Sequence, residues 1–387
     1  MAIVHDWCNQ MKLMISVTRS RFDMPKKIMD RIVFLDYMRI FAFISVLIGH
    51  RMFPDLYYAS IDESLHISLR YVLSALVPLA WSGAAGVIVF FITSGYVITH
   101  VLQSERTTEF LIKRFFRIYP LFIFAVICEA VANKLVHGTP FPPVWQWIPH
   151  FLLLGDLVGI PTSLSGVEWT LRIEVAFYVL MAIFKSSGLM RHQQYLPTVF
   201  AILAAVLYFS PPFPNSPGLT LGYTTLYAPF LFLGSCVYLL ETGKANKNVC
   251  IAVMIAIVLA FWTMTTKIQP VFNNNNHSMY ALLIFFAAWL VREKLQDGPL
   301  IRLASNLTYS VYLFHNWAWP YLMDVLSRVG LTVIPLKMQV TIVLLLSCYG
   351  LHKTVEEYGL RAGKAAIKYY RSLKLRATDK QSVSTVV

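Results

Sequence analysis

The chain has 387 residues, 57% of them hydrophobic and 14% charged, with a mean hydropathy of +0.58. A soluble domain carries about 25% charged residues, so this composition excludes a mainly soluble protein and indicates an all-α polytopic membrane protein. Its net charge of +13 invites comparison with nucleic-acid binders, but the distribution of that charge points to membrane topology instead.

Taken in chain order, residues 1–32 read as a basic cytoplasmic segment with no apolar stretch of signal-peptide length. Met24 or Met29 is an alternative start, since the informative residues come later. Spans are expected near 33–53, 83–102, 115–137, 167–184, 194–210, 223–240, 249–266, 278–291, 306–326 and 338–352, from a requirement of roughly 20 apolar residues each. Tyr71 to Pro78, ahead of the second span, reads as a helix broken near Pro78 and Gly83. Trp145 to Leu154 is too short to cross and is expected to form a re-entrant or interfacial helix on the outer side. Pro211 to Pro214 and Asn273 to Asn276 read as outer loops. From Arg361 to Arg376 cations alternate with apolar residues, which suits either an interfacial helix on anionic lipid or a solvated tail. With both termini in the cytoplasm, 25 of the 33 Lys and Arg lie inside and six outside, while Arg39 and Arg172 remain within spans. That is the positive-inside asymmetry of a ten-span cell-membrane protein, with residues 33–358 as its membrane domain and 359–387 as a cytoplasmic tail.

Ionisable residues inside spans carry the chemical signal, because each costs at least a few kcal/mol in hydrocarbon. Arg39 and His50 are eleven residues apart in the first span, which leaves them roughly 20° apart around a helix and about 16 Å apart along it. Asp36 lies a turn from Arg39 on the same face. Depth counting puts His50 about 5 Å and Glu174 about 8 Å below the outer surface, which makes them a candidate base with its orienter, or a base and an acid. A buried pair that fixes helix registry is the structural alternative. Arg172 points to a different face from Glu174 and is expected to snorkel outward or meet an anionic group of a substrate. At the inner side Lys113, Arg114 and Arg117 gather near Arg39, a grouping suited to phosphate but also expected of any positive-inside mouth.

His315, near the middle of the ninth span with Tyr312 a turn away, requires a polar partner. Ser94-Gly95 reads first as small-residue helix packing, and Glu129 and Glu356 are weaker candidates. The five cysteines show no metal or disulfide spacing, and no P-loop, GxSxG or HExxH occurs. No paired short spans of transporter type are present.

Several of these pieces together resemble the acyltransferase-3 family of integral-membrane O-acyltransferases. They are Leu35-Asp36-Tyr-Met-Arg39 followed by His50, Gly86 to Tyr96 with Ser94, Arg114-Phe-Phe-Arg117, Trp169-Thr-Leu-Arg-Ile-Glu174 and Tyr309-Ser-Val-Tyr312-Leu-Phe-His315. The order is kept from Leu35 to about Tyr358. Thr170 and Thr308 stand where the family usually has Ser, and Glu356-Glu357-Tyr358 lacks the family's Pro. The likeness is to surface-polysaccharide O-acetyltransferases of the type without a fused esterase-like domain. It implies transfer of an acyl group, commonly acetyl from acetyl-CoA, to a sugar hydroxyl of a surface or exported glycan or lipid-linked saccharide, and no metal. Arg39, Arg114 and Arg117, with Asp36, would hold the CoA phosphates. His50 would act as base or acyl carrier with Glu174 orienting it, and Ser94, Trp169, Arg172, Tyr309, Tyr312 and His315 would support the substrates or the site. Trp145 and Trp147 would face the sugar. Readings from other classes are a glycan or lipid-intermediate flippase using His50 and Glu174 as a proton relay, and a non-catalytic subunit of a polysaccharide biosynthesis or export complex.

Overall fold

A computed structural model describes residues 31–160, 162–215, 221–272 and 276–384, with side chains as far as Lys374. The N-terminal basic segment, apart from its last two residues, and Asn273 to Asn275 of the asparagine run lie outside the described residues. Residues from Phe34 onward pack as one unit. Its elements are helices, with no strand among the described residues, and fifteen α-helices have eight residues or more. They are α1 (Val33–Arg51), α2 (Phe53–Ile61), α3 (Ile67–Ala80), α4 (Ala84–Val101), α5 (Thr107–His137), α6 (Val144–Phe151), α7 (Trp169–Ser186), α8 (Leu196–Phe209), α9 (Pro229–Glu241), α10 (Lys247–Ile268), α11 (His277–Leu290), α12 (Pro299–Phe314), α13 (Ala318–Val329), α14 (Leu336–Leu351) and α15 (Glu357–Ser384).

Among the described residues six stretches are long and apolar enough to cross a membrane: Val33–Arg51, Ile67–Val101, Thr107–His137, Tyr223–Glu241, Lys247–Ile268 and Leu336–Lys374. Gln193–Phe209 and His277–Leu290 are apolar but shorter. The break before the second span falls at Trp81–Gly83, where Ser82 and Gly83 take φ of 50° and 67°, while Pro78 sits inside α3. This turn lies tight against α1, since a Cβ on Gly49 would meet the Gly83 nitrogen at 2.2 Å and the Ala80 oxygen at 2.3 Å. Only glycine at 49 lets the turn come this close to His50.

α4 and α9 form the centre of the bundle. A Cβ on Gly95 would lie 1.9 Å from the Leu231 carbonyl oxygen, and one on Gly234 would lie 1.9 Å from that of Ile92. The two backbones therefore touch, as small residues allow in membrane helices. α6 has only eight residues, about 12 Å of helix, so it is too short to cross.

The expected ninth span is not one helix. α12 ends at Phe314 and α13 begins at Ala318, leaving His315 to Trp317 between them. Pro320 has no N–H to give the Asn316 carbonyl four residues earlier, and that carbonyl is free for another donor. At the C-terminal end a π-turn at His352–Glu356 leads into α15. The tail lies along α5, with Gly359 and Gly363 close to Phe116 and Arg371 bridging both oxygens of Glu109 at 2.9 and 2.6 Å. The segment expected as an interfacial helix or a solvated tail is helical and docks on α5.

Candidate active site

One chamber, about 90 Å3, gathers cations and one buried carboxylate: Arg39, Arg114, Arg117 and Glu174 all line it. Each is held in place. Asp36, 1% exposed, takes a 2.6 Å bond from Ser305 and pairs with Arg39 at 3.3 Å. It supports Arg39 from beneath and does not line the chamber. Arg114 lies over the Phe110 and Tyr178 rings, 5.5 and 5.9 Å from their centroids. Arg117 pairs with buried Glu356 at 3.0 Å, and Glu356 also bonds His352 at 3.0 Å. Glu174 accepts from Ser94 at 2.8 Å and from the Tyr178 hydroxyl. Tyr309 closes the wall by donating to the Ile118 carbonyl at 2.7 Å. Planar guanidinium groups around one chamber are suited to binding phosphate or another oxyanion.

A second chamber, about 440 Å3, holds His50. The two chambers share Val46, Val87 and Tyr312 as walls. Tyr312 is fixed there by a 2.6 Å bond with Thr170 and a 2.8 Å bond to the Val167 carbonyl. His50 is exposed, and its Nδ1 lies 2.9 Å from Nε2 of His315, which is 1% exposed. The bonding of His315 decides the tautomers. Its Nδ1 is 2.7 Å from the Tyr312 carbonyl and 3.2 Å from that of Val311, so this nitrogen must carry the proton. His315 Nε2 is then a bare acceptor, His50 Nδ1–H donates to it, and the lone pair of His50 falls on Nε2. That pattern is an imidazole base held by an orienting acceptor. Arg51 locks the pair from behind, donating to the His315 carbonyl at 3.2 Å and to both oxygens of Asn316. The carbonyl left free by Pro320 is the one it uses. Trp169 forms another wall of this chamber, its ring 5.0 Å from Tyr223 and 5.2 Å from Tyr227.

A family model for an acyltransferase domain, that of acyltransferase-3, matches residues 32–352. The chain belongs to the acyltransferase-3 family. Among curated relatives, peptidoglycan O-acetyltransferase OatA of Listeria monocytogenes is 22% identical, aligned over 67% of this chain and 49% of its own length. The acyltransferase MdmB of Streptomyces mycarofaciens is 29% identical over 40% of this chain and 39% of its own. The exopolysaccharide production protein ExoZ of Rhizobium meliloti is 25% identical over 65% of this chain and 80% of its own. The match thus spans half or less of the first two relatives. No solved structure matches significantly.

Within this acyltransferase-3 chain, Arg39, Arg114, Arg117, Ser94, Glu174, Tyr309 and Tyr312 come together in the arginine chamber, and His50, Trp169 and Tyr312 in the histidine chamber. Two expected relationships differ. The direct partner of His50 is His315, whereas Glu174 bonds Ser94 and Tyr178. Arg172, 7% exposed, neither snorkels nor stays open to a substrate, because Asp156 and Glu168 enclose its guanidinium and Tyr223 donates to Asp156. It ties the loop before α7 to the bundle. Arg51 and Asn316 escaped the sequence reading; their only signal was adjacency to His50 and His315. Among the described residues no three His, Cys, Asp or Glu side chains are grouped to hold a metal.

Proposed function

We propose that the protein is a cell-membrane O-acyltransferase that moves an acyl group, acetyl from acetyl-CoA, to a hydroxyl of a cell-surface or exported glycan. The observation that carries this reading is the shared wall: a cation-lined chamber and an imidazole-lined chamber meet at Val46, Val87 and Tyr312. Transfer needs an anionic donor and a neutral hydroxyl to approach one reacting carbon, and these two chambers have the matching chemistry. Arg39, Arg114 and Arg117 bind donor phosphates. His50 Nε2 removes the proton of the acceptor hydroxyl, and the His50 Nδ1–H bond to His315 stabilises the imidazolium that results. The attacking oxygen forms the new ester bond, the thioester C–S bond breaks, and the proton on His50 leaves with the thiolate as thiol. Glu174 offsets the charge of the arginines and holds Ser94 toward the donor. The names of OatA and ExoZ support a polysaccharide acceptor. The basic charge pattern supports ten crossings with both termini cytoplasmic, donor entry at the arginines and acceptor entry at His50.

The test is the acyl content of surface glycans, measured by mass spectrometry in cells carrying the wild-type gene, His50→Ala, Glu174→Gln or no gene. An increment of one acetyl mass with wild type alone, at equal expression, is the expected outcome. Full acylation with His50→Ala overturns the reading. An unmodified glycan whose export still depends on the gene would indicate a transporter.

A further inference from the structure

A separate cavity of about 370 Å3 lies beside the histidine chamber and shares Ser165 with it. Its volume is within the usual 300–1,000 Å3 range of small-molecule sites. The partition between the two is a constrained piece of backbone. Leu164, Ser165 and Gly166 take φ of 53°, 51° and 86° in succession, and two of them are not glycine. Glu129 holds this conformation by accepting from the Leu164 and Ser165 amides at 2.6 and 3.1 Å. From the other side Asn316 donates to the Ser165 carbonyl at 2.9 Å, and Asn316 is in turn gripped by Arg51, next to His50. The wall of the cavity and the imidazole pair therefore belong to one bonded network. A strained conformation held from both sides is the kind that persists at ligand clamps.

The lining has unspent hydrogen-bonding capacity. The side chains of Gln146, Thr139 and Thr162 face the cavity and make no hydrogen bond among the described residues. Asn133 uses its oxygen, accepting from Tyr321 at 2.7 Å, and keeps its amide hydrogens. Trp147 supplies a fixed aromatic face: its indole N–H donates to the Pro142 carbonyl at 3.1 Å, and its ring lies 5.3 Å from that of Phe151. Among the described residues no Lys or Arg lines the cavity, whereas the Glu129 carboxylate and the His150 imidazole do, the latter 3.2 Å from Glu168. Scattered amide and hydroxyl groups around one aromatic plate match a pyranose ring, with hydroxyls at its rim and C–H groups on its face. The carboxylate has no guanidinium or ammonium group beside it, and the imidazole of His150 is turned to Glu168, so the lining disfavours a uronate or phosphate.

We propose that this cavity is a second acceptor subsite, binding an uncharged pyranose unit next to the one presented to His50, with Glu129 as the positioning residue that sets the wall between them. This rests on the acyl-transfer reading for its role, but the binding itself can be measured without turnover. The experiment is a titration of the purified full-length protein in lipid nanodiscs with maltotetraose, cellotetraose, chitotetraose and tetragalacturonate, followed by calorimetry. At least one neutral tetramer is expected to bind and the anionic one to bind at least tenfold more weakly. Gln146→Ala should weaken binding about tenfold, the loss of one or two neutral hydrogen bonds, and Trp147→Ala more, with Thr139→Val as a near-isosteric check should either lower the melting temperature. Failure of all three neutral tetramers to bind overturns the proposal, as does binding that folded Gln146→Ala and Thr139→Val leave unchanged, or equal affinity for tetragalacturonate. If neutral tetramers bind as expected while glycan acylation proves independent of His50, the saccharide site stands and the acyl-transfer reading falls.

Discussion

At His50 the Nδ1 ring nitrogen faces His315, and the bonding of His315 determines which of the two facing nitrogens carries the proton. Its Nδ1 is committed to the Tyr312 carbonyl, so it can only accept from His50. Removing that acceptor leaves the base free to turn and to change tautomer. His315→Ala is therefore expected to lower acyl transfer by about 10²- to 10⁴-fold, the usual range for a general base, mainly in kcat. His315→Gln should recover part of the loss, because its side-chain oxygen can accept from His50 Nδ1–H; steady-state kinetics of both variants checks this. The pairing was not legible in the sequence. Helical spacing put Arg39 and His50 on one face, and both do line chambers, but periodicity describes a single helix and not its neighbour. His315 is 265 positions away, beyond the reach of any local pattern. Arg172 illustrates the same limit: its face was legible, while the enclosure by Asp156 and Glu168 depends on how the loop before α7 folds back.

Along the elements, the α4–α9 seam has the smallest tolerance. Gly95 and Gly234 each face a carbonyl of the other helix at 1.9 Å from where a Cβ would stand. A backbone atom cannot swing aside as a side chain does, so Gly95→Ala must separate the helices. The expected cost is at least about 1–3 kcal/mol, the range for overpacking, read as a lower melting temperature in detergent. Gly138→Ala meets no atom within 4 Å and controls for any general effect of a lost glycine, apart from the strain of its positive φ. The sequence marked Ser94-Gly95 as a packing site, and the structure gives the two residues separate tasks, Gly95 for close approach and Ser94 for Glu174. The broken ninth segment is a second case. Apolar residues continue on both sides of His315 to Trp317, so an unbroken span was the natural expectation, and the carbonyl bookkeeping around Pro320 and Arg51 shows why the helix stops there.

For the whole molecule, the apolar runs made the helical membrane class legible, because twenty-residue hydrophobic stretches have few other solutions. They did not reveal the chambers, which form where several helices meet. The proposed topology places the arginine mouth and the histidine mouth on opposite sides. Lys113→Cys should then react with a membrane-impermeant maleimide only in inverted vesicles, and Ser165→Cys, exposed beside the histidine chamber, only in intact cells; the same sidedness for both would overturn that topology. A molecule with that topology would also have a duty unrelated to catalysis. Val46, Val87 and Tyr312 are walls of both chambers, and water on either side of them would sit at a different electrical potential, worth about 2.3 kcal/mol per charge per 100 mV. On the proposed topology these three side chains belong to the barrier that keeps protons from leaking between the chambers, and their bulk would have a lower limit set by bioenergetics however much room a larger acyl group would need.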